Sequence, residues 1–243
     1  MSDLLSMNII YNVLLAYFVV MCLYLGLPHL VRNLLRKKFI SAMGKSDQVC
    51  LTFDDGPNPE STPDILALLE DLGVKATFFL IGENIKKYPD LYHKIIKQGH
   101  EIGDHGYRHV NACACLPFCG VVDLIRGSFM IKKNSNFKQT FWLRPPYGKL
   151  NLLTLCYLLL CRRKLAFWNI DPKDYIPQAP EQITATVLDQ LTGGAVILLH
   201  ERSLHTNNDL KRNLTAIKMM VQEIKKRKYS FARISDAVPE QNR

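Results

Sequence analysis

From residue 48 onward, short strand-like runs alternate with segments of helical periodicity, and this alternation limits the possible folds more than any other feature. The runs span 48–53, 76–81, 100–104, 141–143, 165–169, 195–199 and 229–234. Several are apolar at nearly every position, which is typical of strands in a parallel sheet covered by helices. We therefore predict one α/β domain whose parallel sheet is either open or closed into a barrel.

The segments between the runs carry helix signals. Thr62, Pro63 and Asp64 supply an N-cap, a first-turn proline and an early acid, and Gly73 ends this predicted helix. We predict further helices over 89–98, 121–133, 152–161, 181–191 and 210–224. A chain of 243 residues is long enough for one such domain with a sizeable core.

The N-terminal region is different, because Asn8 to Leu27 is almost wholly apolar and uncharged. About 20 apolar residues is the length that a membrane-spanning helix needs. A cleavable signal peptide would begin with basic residues and lead to a small-residue cleavage site, whereas this chain begins Met1-Ser2-Asp3. We therefore expect a tip over 1–7, a single transmembrane anchor over 8–30, a basic flank and linker over 31–47, and the α/β domain over 48–243.

The basic flank predicts on which side of the membrane the domain lies. Arg32, Arg36, Lys37 and Lys38 follow the predicted anchor, and the positive-inside rule places such a flank in the cytoplasm. The seven cysteines lack the spacing of a disulfide framework, which fits a reducing compartment. We expect a single-pass protein of the inner membrane that faces the cytoplasm; an outward-facing domain is the alternative.

The net charge of +9 permits a nucleic-acid partner, but the chain has no nucleic-acid motif and no basic patch interleaved with aromatic residues. We therefore expect no nucleic acid and favour an anionic membrane surface as the partner of the basic flank. Cys113, Cys115 and Cys119 lack a fourth ligand at the spacing of a structural zinc site, so we expect ordinary loop residues there.

Titratable residues lie at or shortly after the ends of five of the predicted strands. They are Asp54 and Asp55, then Asp104, His105 and His109, then Arg144, then Asp171 and Asp174, and finally His200. The carboxyl ends of parallel strands share one edge, where active groups of such folds gather.

The Asp pair before Gly56-Pro57 also fits a solvated turn. Buried at a strand end, the two acids would instead need a metal ion or a fixed cation.

His105 and His109 are four residues apart, so one helical turn would bring both imidazoles to one side. Two histidines and one carboxylate form a usual catalytic zinc set that leaves positions open for water and substrate. The pair without such an acid would more often be unliganded, and the neighbouring Asp pair favours a metal site.

Five blocks in this order resemble the polysaccharide deacetylase family, which is defined by the NodB-homology domain. The blocks are Thr52 to Pro57, His105-x-x-x-His109, Arg144-Pro145-Pro146-Tyr147, Asp171-x-x-Asp174 and Leu198-x-His200, and the resemblance covers residues 48–235 or so. The resemblance implies a distorted (β/α)7-type barrel that binds a divalent metal. It also implies a hydrolase that removes N-acetyl groups from amino sugars of a polymer or of a lipid-linked sugar.

The resemblance also implies the roles of individual residues. Asp55, His105 and His109 correspond to the metal ligands, with zinc expected and cobalt, nickel or manganese as alternatives. Asp54 corresponds to the general base and His200 to the general acid. These roles suit amide hydrolysis, in which a Lewis acid activates water, a carboxylate takes a proton and a histidine protonates the leaving amine.

Four further residues correspond to the family's supporting groups. Arg144 resembles the cation that orients the base, and Asp174 the carboxylate that tunes His200. Tyr147 resembles the residue whose backbone N–H helps to hold the oxyanion. Leu198 resembles the residue that lines the acetyl pocket.

Two positions depart from the family pattern. Gly106 stands where many relatives carry serine or threonine. A supporting hydrogen bond to the loop that carries His105 and His109, the metal loop, is therefore expected to be absent. Tyr175 stands where the family has tryptophan, which alters the size and polarity of a pocket wall. The first departure concerns the metal loop and the second concerns the choice of substrate.

Three functions remain open at this point. The first is a metal-dependent N-deacetylase of amino sugars, either lipid-linked or in outward-facing peptidoglycan. The second is a catalytically silent sugar-binding relative, against which the presence of both Asp54 and His200 argues. The third is a deformylase acting on a lipid-linked sugar with the same machinery.

Overall fold

The computed structural model describes residues 2–44, 47–134, 141–201 and 207–238. Its strands are β1 (Gln48–Gly56), β2 (Thr77–Leu80), β3 (Glu101–Asp104), β4 (Val196–His200) and β5 (Ser230–Phe231). Its helices are α1 (Ser2–Met21), α2 (Leu27–Met43), α3 (Thr62–Asp71), α4 (Gly82–Lys87), α5 (Pro89–Lys97), α6 (Cys119–Asn134), α7 (Leu152–Leu160), α8 (Pro180–Asp189), α9 (Asn207–Lys226) and α10 (Ile234–Ala237). A π-helical turn, Cys22–Gly26, joins α1 to α2.

The sheet is parallel and has β1 at its centre. The described strands follow the order β3-β2-β1-β4, and β5 pairs with the start of β1. Parallel pairing requires crossover connections, and the predicted helices provide them. The predicted parallel α/β sheet is therefore confirmed, and its carboxyl edge carries the ends of β1, β3 and β4.

The predicted fourth and fifth strands are reduced to single parallel bridges. Leu143 bridges to Asp104 on one side and to Leu165 on the other, and Ile170 bridges to Ile197. The bridges connect β3 back to β4, so the sheet curves around on itself. Pro145 and Pro146, which follow Arg144, cannot donate to a ladder, which limits pairing beyond Leu143.

Three other local predictions differ from the structure. The helix α4 was not predicted, because its six residues are too short for a clear apolar period. The predicted last strand over 229–234 contains only the two residues of β5, and the chain then turns into α10. The segment over 39–43, predicted as part of a linker, is the last turn of α2.

The helix α2 packs against the α/β domain through one face. Val31, Leu35, Phe39 and Met43 recur every four residues, which places them on one side of a helix. Phe39 packs edge-on against Trp142, with ring centroids 5.7 Å apart, and Met43 is fully buried. The end of α2 therefore belongs to the domain core and fixes the direction in which the chain enters it.

The helical segment Met7–Met43 is long and apolar enough to cross a membrane, judged by length and composition alone. Its most apolar window has a mean hydropathy of 2.1 and none of it is buried against the rest of the chain. This window therefore differs from the mostly buried core helix of a soluble domain, whereas a signal sequence near the N-terminus would share its character. Met7–Met43 is the one helix of this character among the described residues.

Candidate active site

The end of β1 supplies the two central carboxylates. Asp54 is 3% exposed and pairs in register with His200 on the neighbouring strand β4. Asp55 follows with a φ of 74°, a left-handed conformation that non-glycine residues seldom adopt. Such backbone strain clusters at functional sites, and the Asp55 side chain here lies beside both histidines.

Asp55, His105 and His109 converge on one point. The Asp55 Oδ1 atom lies 3.6 Å from His105 Nε2 and 3.4 Å from His109 Nε2. One potential ligand atom from each side chain lies within 4.8 Å of the others, as a single metal ion would require. Among the described residues, these three are the one group of potential ligands gathered in this way.

The surroundings of this triad fit a bound cation. Asp55 Oδ1 is buried and has no hydrogen-bond partner within the described part of the chain. The His105 Nδ1 atom lies 2.8 Å from the Arg144 carbonyl oxygen, to which it can donate, and this leaves Nε2 free as a ligand. Burial lowers the pKa of His105 to about 3, so the imidazole is neutral, as a metal ligand must be.

Arg144 is completely buried beneath the site. Its Nη1 atom donates to Asp54 Oδ1 at 2.7 Å and to Thr52 Oγ1 at 2.9 Å. Its guanidinium also lies over the rings of Phe79 and Trp168, 4.0 and 5.4 Å from their centroids. The cation therefore compensates the buried Asp54 charge and fixes the orientation of that carboxylate.

His200 and Asp174 form the second ion pair of the site. The His200 Nδ1 atom lies 2.8 Å from Asp174 Oδ1, and the His200 backbone N–H donates to Asp174 Oδ2 at 2.8 Å. Burial alone lowers the pKa of His200, but the hydrogen bond and charge of Asp174, followed by the charges of Asp54 and Asp55, raise it to about 9. His200 therefore carries a proton at neutral pH and directs Nε2 away from Asp174.

The metal loop is supported by Asp123, which the sequence analysis did not identify. The Asp123 carboxylate of α6 accepts hydrogen bonds from the backbone N–H groups of Arg108, at 2.7 Å, and Val110, at 3.5 Å. A Cβ atom at Gly106 would lie 2.2 Å from Asp123 Oδ2, and Gly106 has a φ of +78°. Glycine at position 106 leaves room for the Asp123 carboxylate. This carboxylate therefore supports the loop, and no serine or threonine hydroxyl at position 106 is involved.

Glu201 is a second site residue that the sequence did not single out. It is 1% exposed, and its carboxylate accepts a hydrogen bond from the Thr62 hydroxyl. Burial, together with the charges of Asp55 and Asp54, raises the pKa of Glu201 to about 8. The protonated side chain adds no third negative charge beside the Asp pair. Its position directly after His200 is the one sequence signal that could have pointed to it.

The remaining predicted residues lie around the same edge. Tyr147 has a φ of 57°, is 55% exposed, and places its ring 4.4 Å from that of His109. Leu198 is buried in β4 two residues before His200. Tyr175 packs edge-on against His200 with ring centroids 5.2 Å apart, so it forms a wall of the site.

The cysteines take no part in this site. All seven are free thiols, and those at 113 and 119 are exposed. Within the described ranges they form no cluster with other potential metal ligands.

Comparison with known proteins agrees with this geometry. The family model described as polysaccharide deacetylase matches residues 42–160. A peptidoglycan-N-acetylglucosamine deacetylase from Bacillus cereus is 31% identical over 190 residues, which cover 77% of this chain and 86% of that protein. A chitooligosaccharide deacetylase from Bradyrhizobium is 29% identical over 190 residues, covering 75% of this chain and 87% of that protein.

The fold has a matching solved structure. A crystal structure of a peptidoglycan N-acetylglucosamine deacetylase in complex with 4-naphthalen-1-yl-N-oxidanyl-benzamide superposes with a TM-score of 0.73 and 29% identity. The match covers 80% of this chain and 89% of that one. The blocks identified in the sequence, their meeting at one sheet edge and these similarities agree. The chain belongs to the polysaccharide deacetylase family, a family of hydrolases.

Proposed function

We propose that this protein is a metal-dependent hydrolase that removes the N-acetyl group from an amino sugar. The observation that carries the proposal is the placement of Asp54 and His200 in register on adjacent strands, next to the Asp55, His105 and His109 triad. A base, an acid and a ligand set for a Lewis acid then share one edge of the sheet. This combination is what hydrolysis of an unreactive amide requires.

Asp55, His105 and His109 would hold a divalent metal, with zinc expected from the two imidazoles and one carboxylate. Cobalt, nickel or manganese are the alternatives. A cation there would polarise the amide carbonyl and favour deprotonation of a water.

Asp54 takes up the proton from the attacking water. Its Oδ1 atom is held by Arg144, so Oδ2 remains available; that oxygen lies 3.5 Å from His105 Nε2 and thus close to the triad. Arg144 supplies the opposite charge that a carboxylate in this buried position needs. The base is thereby oriented before substrate binds, which avoids the cost of ordering it during the reaction.

His200 donates a proton to the leaving amine. The Nδ1–H group is hydrogen-bonded to Asp174, so the proton on Nε2 is the one that can be transferred. The backbone N–H of Tyr147 would donate to the developing oxyanion, and Leu198 would line the acetyl pocket. Tyr175, packed against His200, would form the wall that contacts the sugar.

The test is release of acetate from N-acetylated amino sugars by the full-length protein, with the formyl analogue measured beside it. We expect acetate release that depends on added divalent metal and is lost on chelation. Formate release alone would replace the deacetylase proposal by the deformylase alternative. Binding of the sugar without release of either acid would favour the silent sugar-binding relative.

We further propose that residues 8–30 anchor the protein in the membrane. Support comes from the most apolar window of this helical region, none of which is buried. A second support is a set of exposed apolar side chains in and after the loop that follows His109: Leu116, Phe118, Val122, Ile125 and Phe129. Apolar surface of this kind next to a membrane helix suits contact with a bilayer or a lipid tail. A lipid-linked amino sugar is therefore the favoured substrate.

The basic residues and the free cysteines favour the cytoplasmic side of the membrane. Peptidoglycan, the substrate named for one relative, would instead require an outward-facing domain. Reporter fusions at the C-terminus separate these cases. A cytoplasmic reporter should be active, and an active extracytoplasmic reporter would transfer the proposal to an envelope polymer.

A further inference from the structure

We propose that Arg32 and Arg36 of α2 form a phosphate-binding subsite between the membrane anchor and the mouth of the active site. The subsite would bind the phosphate ester of a membrane lipid. The inference deepens the proposed function and rests on it in one respect, namely that the phosphate belongs to the lipid-linked sugar. A phospholipid headgroup is the other source of the same chemistry, and the experiment below distinguishes the two.

The two arginines converge on one cavity. They are four residues apart on α2 and line a cavity of about 170 Å³ together with Tyr147, Gly148, Phe167 and Trp168. Arg32 Nη1 donates to the Gly148 carbonyl oxygen at 2.9 Å, and Arg36 Nε donates to the Trp168 carbonyl oxygen at 3.0 Å. Both guanidiniums are therefore positioned by the loops that form the site.

The cavity has unused capacity to bind an anion. Arg32 Nε is buried and lacks a hydrogen-bond partner among the residues that the structure describes. The partners that are found for Arg32 and Arg36 are neutral carbonyl oxygens, of the backbone and of the Asn33 side chain. Like charges four residues apart on a helix repel each other, and a bound phosphate would relieve this repulsion. Arginine is suited to phosphate because its planar group donates in pairs.

The location of the cavity links the reaction centre to the bilayer. Tyr147 lines the cavity and places its ring 4.4 Å from the His109 ring. Trp168 also lines it and lies against Arg144, which holds Asp54. Tyr147 thus borders both the cavity and the triad, while Arg32 lies five residues beyond Leu27, where the apolar segment ends. A sugar in the active site could place its phosphate here and its lipid tail along α1.

The experiment uses the full-length protein in nanodiscs of zwitterionic lipid. The probes are a short-chain prenyl phosphate ester of N-acetylglucosamine and the matched prenyl glycoside without phosphate. Acetate release gives KM for each probe. Binding of the phosphate probe to metal-free protein is followed separately by phosphorus NMR, so binding is measured even if turnover fails.

We expect KM for the phosphate probe to be about tenfold or more below that for the neutral probe, because charge-assisted hydrogen bonds contribute on this scale. Arg32→Gln and Arg36→Gln should each reduce the ratio of the two KM values by about tenfold. In phosphorus NMR, each variant should broaden the signal of the phosphate probe less than the native protein does. Lys37→Gln is the matched control: Lys37 is exposed on the same helix and does not line the cavity, so this variant should keep the preference.

The outcomes are separable. Equal loss of activity on both probes in the arginine variants would mean that these residues only brace the loops, and the subsite would be rejected. Phosphate binding without acetate release would keep the subsite and reject the deacetylase proposal. If the sugar phosphate fails to bind but phosphatidylglycerol nanodiscs raise the melting temperature in an arginine-dependent manner, the ligand is the bilayer headgroup. Absence of both effects would overturn the proposal.

Discussion

Arg144 and Asp54 form an ion pair of 2.7 Å in which the arginine side chain is completely buried and the aspartate side chain is 4% exposed. The pair joins the end of β1 to the loop after Leu143, so it fixes two parts of the site at once. Neither charge would be stable at this depth without the other, since transfer of an unpaired ion from water costs several kcal/mol. The same contact thus joins two parts of the fold and orients the proposed base.

Arg144→Met should destabilise the protein by about 3–5 kcal/mol, because it leaves the buried Asp54 charge unpaired. The double variant Asp54→Asn with Arg144→Met removes both charges and should recover part of this loss. Urea unfolding of the two variants and of the native chain measures the difference. A single variant as stable as the native protein would show that the pair is not needed for folding.

Asp54→Asn and His200→Ala should each lower turnover by about 10² to 10⁴, because each removes a proposed proton-transfer group. Both variants retain Asp55, His105 and His109, and we expect stoichiometric metal in each. Steady-state kinetics with metal analysis on the same preparations checks this. Near-native activity of metal-loaded Asp54→Asn would assign the base to another group.

His105→Ala should lose most of the bound metal, because it removes a ligand whose orientation the Arg144 carbonyl fixes. Elemental analysis of the purified protein gives the stoichiometry. His93→Ala is the control, since His93 is exposed on α5 outside the triad. Full metal content in His105→Ala would refute the ligand assignment.

Asp174→Asn should lower the pKa of His200 from its raised value of about 9 and shift the alkaline limb of the kcat profile to lower pH. A bound cation would offset the increase in the His200 pKa that the charges of Asp54 and Asp55 cause. It would leave in place the increase that the Asp174 hydrogen bond causes. The raised pKa stabilises the folded state fully below about pH 6.5, the ordinary value for histidine, and this contribution is lost as pH rises through about 9.

The stability difference between native protein and Asp174→Asn should therefore be largest at acidic pH and shrink above pH 9 or so. Thermal unfolding across this range measures it beside the pH–rate profile. Asp90→Asn, at an exposed acid of α5, is the control and should leave the alkaline limb in place. If the alkaline limb of the kcat profile stays at the same pH in Asp174→Asn, His200 is not the acid that titrates there.

A truncated protein that begins at residue 45 should be less stable than one that begins at Leu27. The shorter form lacks Phe39 and Met43, which are 8% and 0% exposed. Burial of one such side chain contributes about 1.5–3 kcal/mol, so the loss should lower the melting temperature clearly. Met43→Ala in the longer form should reproduce part of the loss, and equal melting temperatures for both truncations would show that α2 is not needed.

The sequence by itself determined the parallel α/β architecture and the chemistry-bearing blocks. The runs that became β2 and β4 are apolar at nearly every position, a local signal of burial on both faces that needs no long-range information. Asp54, Asp55, His105, His109, Arg144, Asp174 and His200 could be selected because each lies at or shortly after the end of a predicted strand, and parallel strands bring their ends to one edge.

Tertiary structure decided what depends on contacts between distant residues. Asp123 supports the metal loop only because α6 packs beside it, and Gly106 could be explained only when the space for that carboxylate was visible. The segments at Leu143 and Leu165 look like strands in the sequence but pair through single bridges, since pairing depends on neighbours that local propensity does not encode. The docking of α2, which brings Arg32 and Arg36 to Tyr147 and Trp168, likewise arises from packing between segments more than 100 residues apart.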